Sequence, residues 1–241
     1  MVKRELKTFP VRPRRPAADA ALARAARKEA VTQVRRSRVL AAAQSAFFEL
    51  GLEGASLREI AHRAGYSPGA IYSYFSSKEE VYGALLGESL ERLNAFVDAA
   101  EVVAAKGRTV AARLRAAEAP VRAKATAFFE FYLNNPRDLD LGFYLFKGMQ
   151  PRGLTPILNE RLNARLGDAL EPVRRGLVAL GATSAEAQTE VTSLFAHIVG
   201  LLVLSHTGRI RMFHQDPQVL FERCLDALLL RSAKAAAGLA A

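Results

Sequence analysis

The stretch Ser56–Glu80, SLREIAHRAGYSPGAIYSYFSSKEE, constrains the fold more than any other, because its 25 residues hold three helix starts. Ser56-Leu57-Arg58-Glu59 has the form of a capping box, a serine N-cap with a glutamate three residues on. Ser67 caps a second helix with Pro68 at its first position. Ser76 or Ser77 caps a third, closed by Glu79 or Glu80. Little more than Gly65 and Tyr66 separates the first two, the short glycine-containing turn of a helix-turn-helix. Helices this short bury little surface of their own, so the stretch reads as a rigid mount for something exposed rather than as core.

The flanking sequence is helical as well. Leu40, Ala43, Phe47 and Leu50 form one apolar stripe that ends at Gly51, and Leu57, Ile60, Ala61 and Ala64 form a shorter one that ends at Gly65. Beyond Glu80 the helices lengthen. They are expected over 81–105, over 108–134 with a break at Pro120, within PRDLDLGFYLFKG, over 156–180 with a kink at Pro172, over 184–207 and over 216–235. Asp216 as N-cap and Pro217 at the first helical position mark the last start. No segment alternates as a strand does. The expected class is all-α, a three-helix helix-turn-helix unit at the N-terminal end followed by a larger helical domain. The divisions are a basic arm over 1–30, disordered or partly helical, then 31–80, then 81–241.

Composition narrows the function classes. A chain of 241 residues, half of them hydrophobic, buries a substantial core. Cys224 stands alone, so no intramolecular disulfide forms, and no Cys/His cluster points to a metal; no cofactor is expected. The most apolar run, LFAHIVGLLVLSH, falls short of the ~18–20 apolar residues of a membrane span, and a cytoplasmic location without membrane contact is expected. The charge is concentrated: residues 1–38 carry +9 of the net +10. A basic arm of this kind either tracks a polyanion, each neutralised phosphate releasing counterions, or merely solubilises the chain.

At about 100° per residue, Ile71 and Phe75 share one face of the second short helix and pack on Leu57, Ile60 and Ala61. Gly69 and Ser73 lie opposite, flanked by Tyr72 and Ala70, on a surface without long aliphatic side chains. A helix with such a face can approach base edges in a major groove. Tyr74 and Lys78 lie further along, within reach of phosphate, as does the helix N-terminus behind Ser76 or Ser77. The alternative is a helical hairpin whose exposed face does nothing.

The run AFFELGLEGASLREIAHRAGYSPGAIYSYFSSKEEVYGAL resembles the DNA-binding domain of the TetR family of transcriptional regulators. The resemblance rests on Phe47 or Phe48 and then Gly51, on Ser56 to Ala61, on Ala64-Gly65-Tyr66-Ser67, and on Gly69, Ile71-Tyr72, Tyr74-Phe75 and Lys78-Glu79. It implies a homodimer on a palindromic double-stranded operator, with Ser56, Tyr74 and Lys78 on phosphates. Arg58, Pro68, Gly69, Ala70 and Tyr72 face the bases, with Ser67 and Ser73 beside them. Arg58 is the one outward residue able to bind guanine bidentately. A departure from the family is the length ahead of the first helix, more than 30 residues, whose basic side chains are candidates for flanking phosphates or a minor groove.

The family's larger domain implies dimerisation and ligand sensing. Two stripes are candidates for a four-helix interface: Val191, Leu194, Phe195, Ile198 and Leu202, and Phe221, Cys224, Leu225, Leu228 and Leu229. The alternative is that both face their own core. The aromatic-rich segment holding Phe128, Phe129, Phe131, Tyr132, Phe143, Tyr144 and Phe146 is core or the wall of a pocket for an apolar small-molecule effector, opened near Pro120 or Pro136. His197 reads as a hydrogen-bonded core residue, and His206 and His214 as solvent-facing or capping. A ligand-responsive repressor is the first functional reading and a non-specific DNA-compacting protein the second. An enzyme is not expected, because no nucleophile–base pair, phosphate loop or catalytic carboxylate pair is present.

Overall fold

The computed structural model describes residues 17–103, 107–143 and 155–238. Its helices are α1 (Ala17–Gly54), α2 (Leu57–Ala64), α3 (Pro68–Ile71), α4 (Lys78–Ala99), α5 (Val110–Asn134), α6 (Pro136–Phe143), α7 (Pro156–Ala179), α8 (Ser184–His206) and α9 (Pro217–Gly238). A single 3-10 turn at Arg209–Phe213, which the sequence does not announce, joins the last two. There is no strand among the described residues.

Two layers of packing follow from the apolar stripes. Val39, Leu40, Ala43, Ala46 and Phe47 of α1 meet Ile60 and Ala61 of α2, Ile71 of α3 and Phe75 just beyond it in the small N-terminal core. Gly51 adopts φ 72°, a left-handed geometry that breaks α1 at the expected place, although one further turn runs on to Gly54. In the larger body α7 is central, packed on α4, α5 and α8, while α9 packs on α8. Phe47 meets Tyr82 edge-on at 6.0 Å between ring centroids, joining α1 to α4 and so the two layers.

Several expectations change. α5 runs unbroken through Pro120 rather than being interrupted there, and α7 is continuous with Pro172 inside it. α4 stops at Ala99, short of 105. The arm is helical from Ala17 and continuous with α1, while residues 1–16 lie outside the described residues, as do Tyr144 and Phe146. Phe128, Phe129, Phe131 and Tyr132 are core: Phe129 stacks on Phe221 at 4.4 Å, and Phe128 meets Tyr132 and Phe195 edge-on. Burial raises the Tyr132 phenol, with a smaller push from Asp138. His206 is half-buried and takes the capping alternative, its Nε2 hydrogen-bonding the Tyr132 carbonyl in the last turn of α5 at 3.1 Å. His197 Nε2 is buried without a hydrogen-bond partner among the described residues.

The proposed interface stripes are the largest correction. Val191, Leu194, Ile198 and Leu202 of α8, and Phe221, Leu225, Leu228 and Leu229 of α9, are buried within their own chain, and Phe195 and Cys224 are half-buried. The eight buried side chains leave almost no surface for a second copy, while Phe195 and Cys224 keep part of theirs. Both helices are apolar on more than one side, so periodicity alone did not distinguish the inner stripe from the outer. α8 is 23 residues long, with a mean hydropathy of 1.4 over its most apolar window, enough by length and composition to cross a membrane, contrary to the expectation from its apolar run. In this fold it packs against α5, α7 and α9.

Candidate nucleic-acid interface

The mount is built from caps. Ser56 accepts from the Glu59 backbone N–H at 3.1 Å and starts α2. The reciprocal half of the capping box is replaced, because the Glu59 carboxylate turns to Arg63 at 2.7 Å. α2 ends at Gly65, whose φ of 74° closes a Schellman turn: Tyr66 N–H donates to the Ala61 carbonyl at 2.8 Å and Gly65 N–H to that of His62 at 3.1 Å. Ser67 then caps α3 by accepting from Ala70 N–H at 3.3 Å, with Pro68 at the first helical position. α3 is one turn long, and Phe75 N–H still donates to the Ile71 carbonyl at 3.0 Å. The chain therefore winds on far enough to bury both side chains, Ile71 at 0 % and Phe75 at 1 % exposure.

That burial fixes what points outward. Pro68, Gly69 and Ser73 are exposed, Tyr72 is 62 % exposed, and Ala70 is half-buried. A Cβ added at Gly69 meets nothing within 4 Å, so this face is open. The Ser73 hydroxyl donates to the Ala70 carbonyl at 2.7 Å and keeps only its lone pairs for a partner. Ser56 and Arg58 are exposed on the first turn of α2, and Arg58 has no partner among the described residues.

Arg63, by contrast, is locked. It reaches Glu49 at 2.8 Å as well as Glu59, clamping α2 to α1. Arg63 and then the Ser45 hydroxyl hold the Glu49 carboxyl below its usual range. Two more contacts pin the turn after α3. The Arg36 guanidinium lies 5.2 Å above the Phe75 ring, and Arg35 lies against Tyr74, whose hydrogen bond raises the guanidinium's pKa. The i,i+4 spacing made the Glu59–Arg63 pair readable, but nothing local to residues 35, 36, 49 or 63 announced the others.

The far end differs from expectation. Ser77 caps α4, accepting from Glu80 N–H at 3.1 Å, while the Glu80 carboxylate accepts from both Ser76 N–H and Ser76 Oγ at 2.7 Å. An acidic side chain thus already occupies the N-terminus expected to hold phosphate. Lys78 is half-buried and donates to the Leu52 carbonyl at 2.9 Å, tying α4 to the last turn of α1. Tyr74 is half-buried.

In the larger body an open cleft of about 710 Å3 lies between the end of α4 and the Pro120 region of α5. Phe96, Ala100, Ala119 and Ala123 supply apolar wall, and Arg115 and Arg122 with Glu101 and Glu130 supply charge of both signs. Arg122 is paired with Asp226 of α9 at 2.6 Å. α6 bridges the layers: Asp138 pairs with Arg92 of α4, the Leu141 carbonyl accepts from the Tyr82 hydroxyl, and Arg137 lies 5.3 Å above the Phe48 ring of α1.

Two short capped helices with an outward small-residue face, held between α1 and α4 on a helical body, define a helix-turn-helix protein. Residues 39–85 match the family described as bacterial regulatory proteins, tetR family, and residues 121–228 match the tetracyclin repressor-like C-terminal domain. The chain belongs to the TetR family of regulators. It is similar to the transcriptional repressor AcnR of Corynebacterium diphtheriae, 40 % identical over 74 residues, covering 31 % of this chain and 36 % of that protein. It is also similar to the transcriptional activator FasR of Mycolicibacterium smegmatis, 38 % identical over 97 residues and 40 % of each chain. These matches span well under half the length of either relative. Among solved structures, a transcriptional regulator from Rhodococcus sp. Rha1 aligns over 83 % of this chain and 97 % of its own, with a TM-score of 0.58 and 26 % identity.

Proposed function

We propose that this protein is a ligand-responsive transcriptional regulator that binds a palindromic DNA operator as a homodimer. The observation that carries the reading is the open face of α3: Gly69, Tyr72 and Ser73 stand outward while Ile71 and Phe75 anchor the backbone behind them. Pro68, Gly69, Ala70 and Tyr72 lie at the bases, Arg58 reads a guanine, and Ser56, Ser67 and Tyr74 hold phosphates. Lys78 has a positioning role alongside any phosphate contact, since its ammonium already holds Leu52. AcnR is a named repressor and FasR a named activator. Repression is the reading favoured here, as the simplest output of a protein that occupies an operator and leaves it on binding an effector.

The dimer uses the faces that the buried stripes leave outward. On α8 these are Ala196, Gly200 and half-buried Val199 and Val203; on α9 they are Ala227 and Leu230, the latter 58 % exposed. Small residues at this spacing let two helices approach closely, and covering them removes the exposed apolar surface of α8.

The effector is an apolar small molecule, and the cleft beside Pro120 is its candidate site. Effector binding there shifts α4 and α5, and α6 carries the shift to α1 through Arg137 and to α4 through Tyr82 and Arg92. The net +9 of residues 1–38 favours a second reading, non-specific DNA compaction. Selection of bound duplexes from a random pool separates the two. The operator reading expects an inverted repeat with fixed half-site spacing. Enrichment of no sequence at all overturns it.

A further inference from the structure

The first part of the helix ahead of the helix-turn-helix unit, up to residue 30, has no packing role. Residues 21–30 are exposed throughout, Leu22 at 69 %, and core burial in α1 begins only at Val39. An isolated helix of this kind is marginal in water, but here the packed half of α1 supplies the nucleus and only propagation remains. Eight alanines among the 22 residues of Ala17–Arg38 favour that propagation. The segment lies outside the residues that match the family.

Its charges are ordered on one side. At the α-helical repeat, Arg24, Arg27, Lys28, Arg35 and Arg38 fall within an arc of about 100°. Glu29 lies on the far side, engaged with Gln33 at 2.9 Å. None of the five has an ion pair among the described residues. The stripe is also oriented, because Arg36, next to its Arg35, lies 5.2 Å above the ring of Phe75 at the end of the recognition turn. A row of unneutralised cations therefore begins beside the face that meets DNA and runs away from it for about 21 Å, roughly the rise of six base pairs.

We propose that the Ala17–Arg38 extension of α1 is a second DNA contact, a rigid basic helix that lies along the sugar–phosphate backbone flanking the half-site. The inference rests on the operator reading above. Double-stranded DNA is the occupant that the stripe fits: cations on successive turns of one helix face match a continuous line of phosphates, and the stripe is contiguous with the recognition turn.

The test uses the full chain and an operator recovered by selection, as a short duplex and as one extended by ten base pairs on each side. The variant is Arg24→Gln/Arg27→Gln/Lys28→Gln, which keeps helix propensity and removes three cations. Each lost phosphate contact lowers the slope of log affinity against log salt by about 0.9, so three lower it by about 2.7 per arm. Between 50 and 200 mM salt the wild type then loses about 40-fold more affinity per arm than the variant. The extended duplex binds the wild type more tightly than the short one, and the variant shows no such gain. A second variant restores the charge on the other side of the helix by adding Leu22→Arg/Ala25→Arg/Ala26→Arg, and it recovers neither the slope nor the gain. A triple variant with the wild-type slope and wild-type gain overturns the proposal, as does full recovery by the relocated arginines. Failure of the operator reading looks different: the wild type itself then prefers no duplex sequence.

Discussion

Gly69→Leu separates folding from recognition more cleanly than any deletion, because the two responses have opposite signs. Gly69 sits in the first turn of α3, outside the left-handed region, and a Cβ built there meets no atom within 4 Å. The folded chain therefore accepts the side chain without strain. Replacing glycine in a helix removes part of its backbone entropy cost, so stability rises by up to about 1 kcal/mol. On DNA the same side chain stands between the α3 backbone and the base edges. Loss of one good base contact costs about 1–3 kcal/mol, a weakening of roughly 5- to 150-fold for each half-site. Thermal unfolding reads the first effect and fluorescence anisotropy on a selected operator reads the second. A Gly69→Leu protein that is at least as stable as the wild type and binds the operator equally well refutes the assignment of this face to the major groove.

Three further outcomes follow from other parts of the molecule. Gly200→Arg fills open space on the outward face of α8, so it leaves the folded monomer intact while converting the dimer to monomer by analytical ultracentrifugation. Glu49→Gln removes an interaction present only when the carboxylate is ionised. Because Arg63 depresses the folded-state pKa below the ordinary 4.5, the wild type is the more stable protein above that pH. Its advantage fades as pH falls through the depressed value, and the two Tm curves converge in acid. Lys78→Ala weakens binding to all operator variants alike and also lowers Tm, since the Leu52 carbonyl loses its ammonium partner.

Much of the site was legible because its determinants are local. Ser56, Ser67, Ser77 and Asp216 all cap helices, and Gly65 makes the turn its neighbours imply; each needs only two to four residues of context. Where two partners compete for one group, sequence reading named the wrong one: Glu59 closes a capping box on paper but pairs with Arg63 in the fold. Long-range clamps such as Arg63–Glu49, Arg36–Phe75 and Arg137–Phe48 left no trace, since their partners are brought together only by packing. The interface stripes failed for another reason. α8 and α9 carry apolar residues on two sides, and the period of a helix gives the spacing of a stripe without saying which side meets the core. Pro120 reads as a break, yet α5 accommodates it because packing on neighbouring helices holds the backbone in place.

The central claim is that the exposed face of α2 and α3 reads base sequence, and Arg58 is its sharpest point. The decisive measurement is the affinity of wild type and Arg58→Ala for a panel of duplexes in which each base pair of the selected operator is changed in turn. The expected result is a loss of discrimination of about 1–3 kcal/mol at one base pair in each half-site, with the remaining positions discriminated as before. An equal loss of affinity for every duplex, with the preference at each position unchanged, contradicts it.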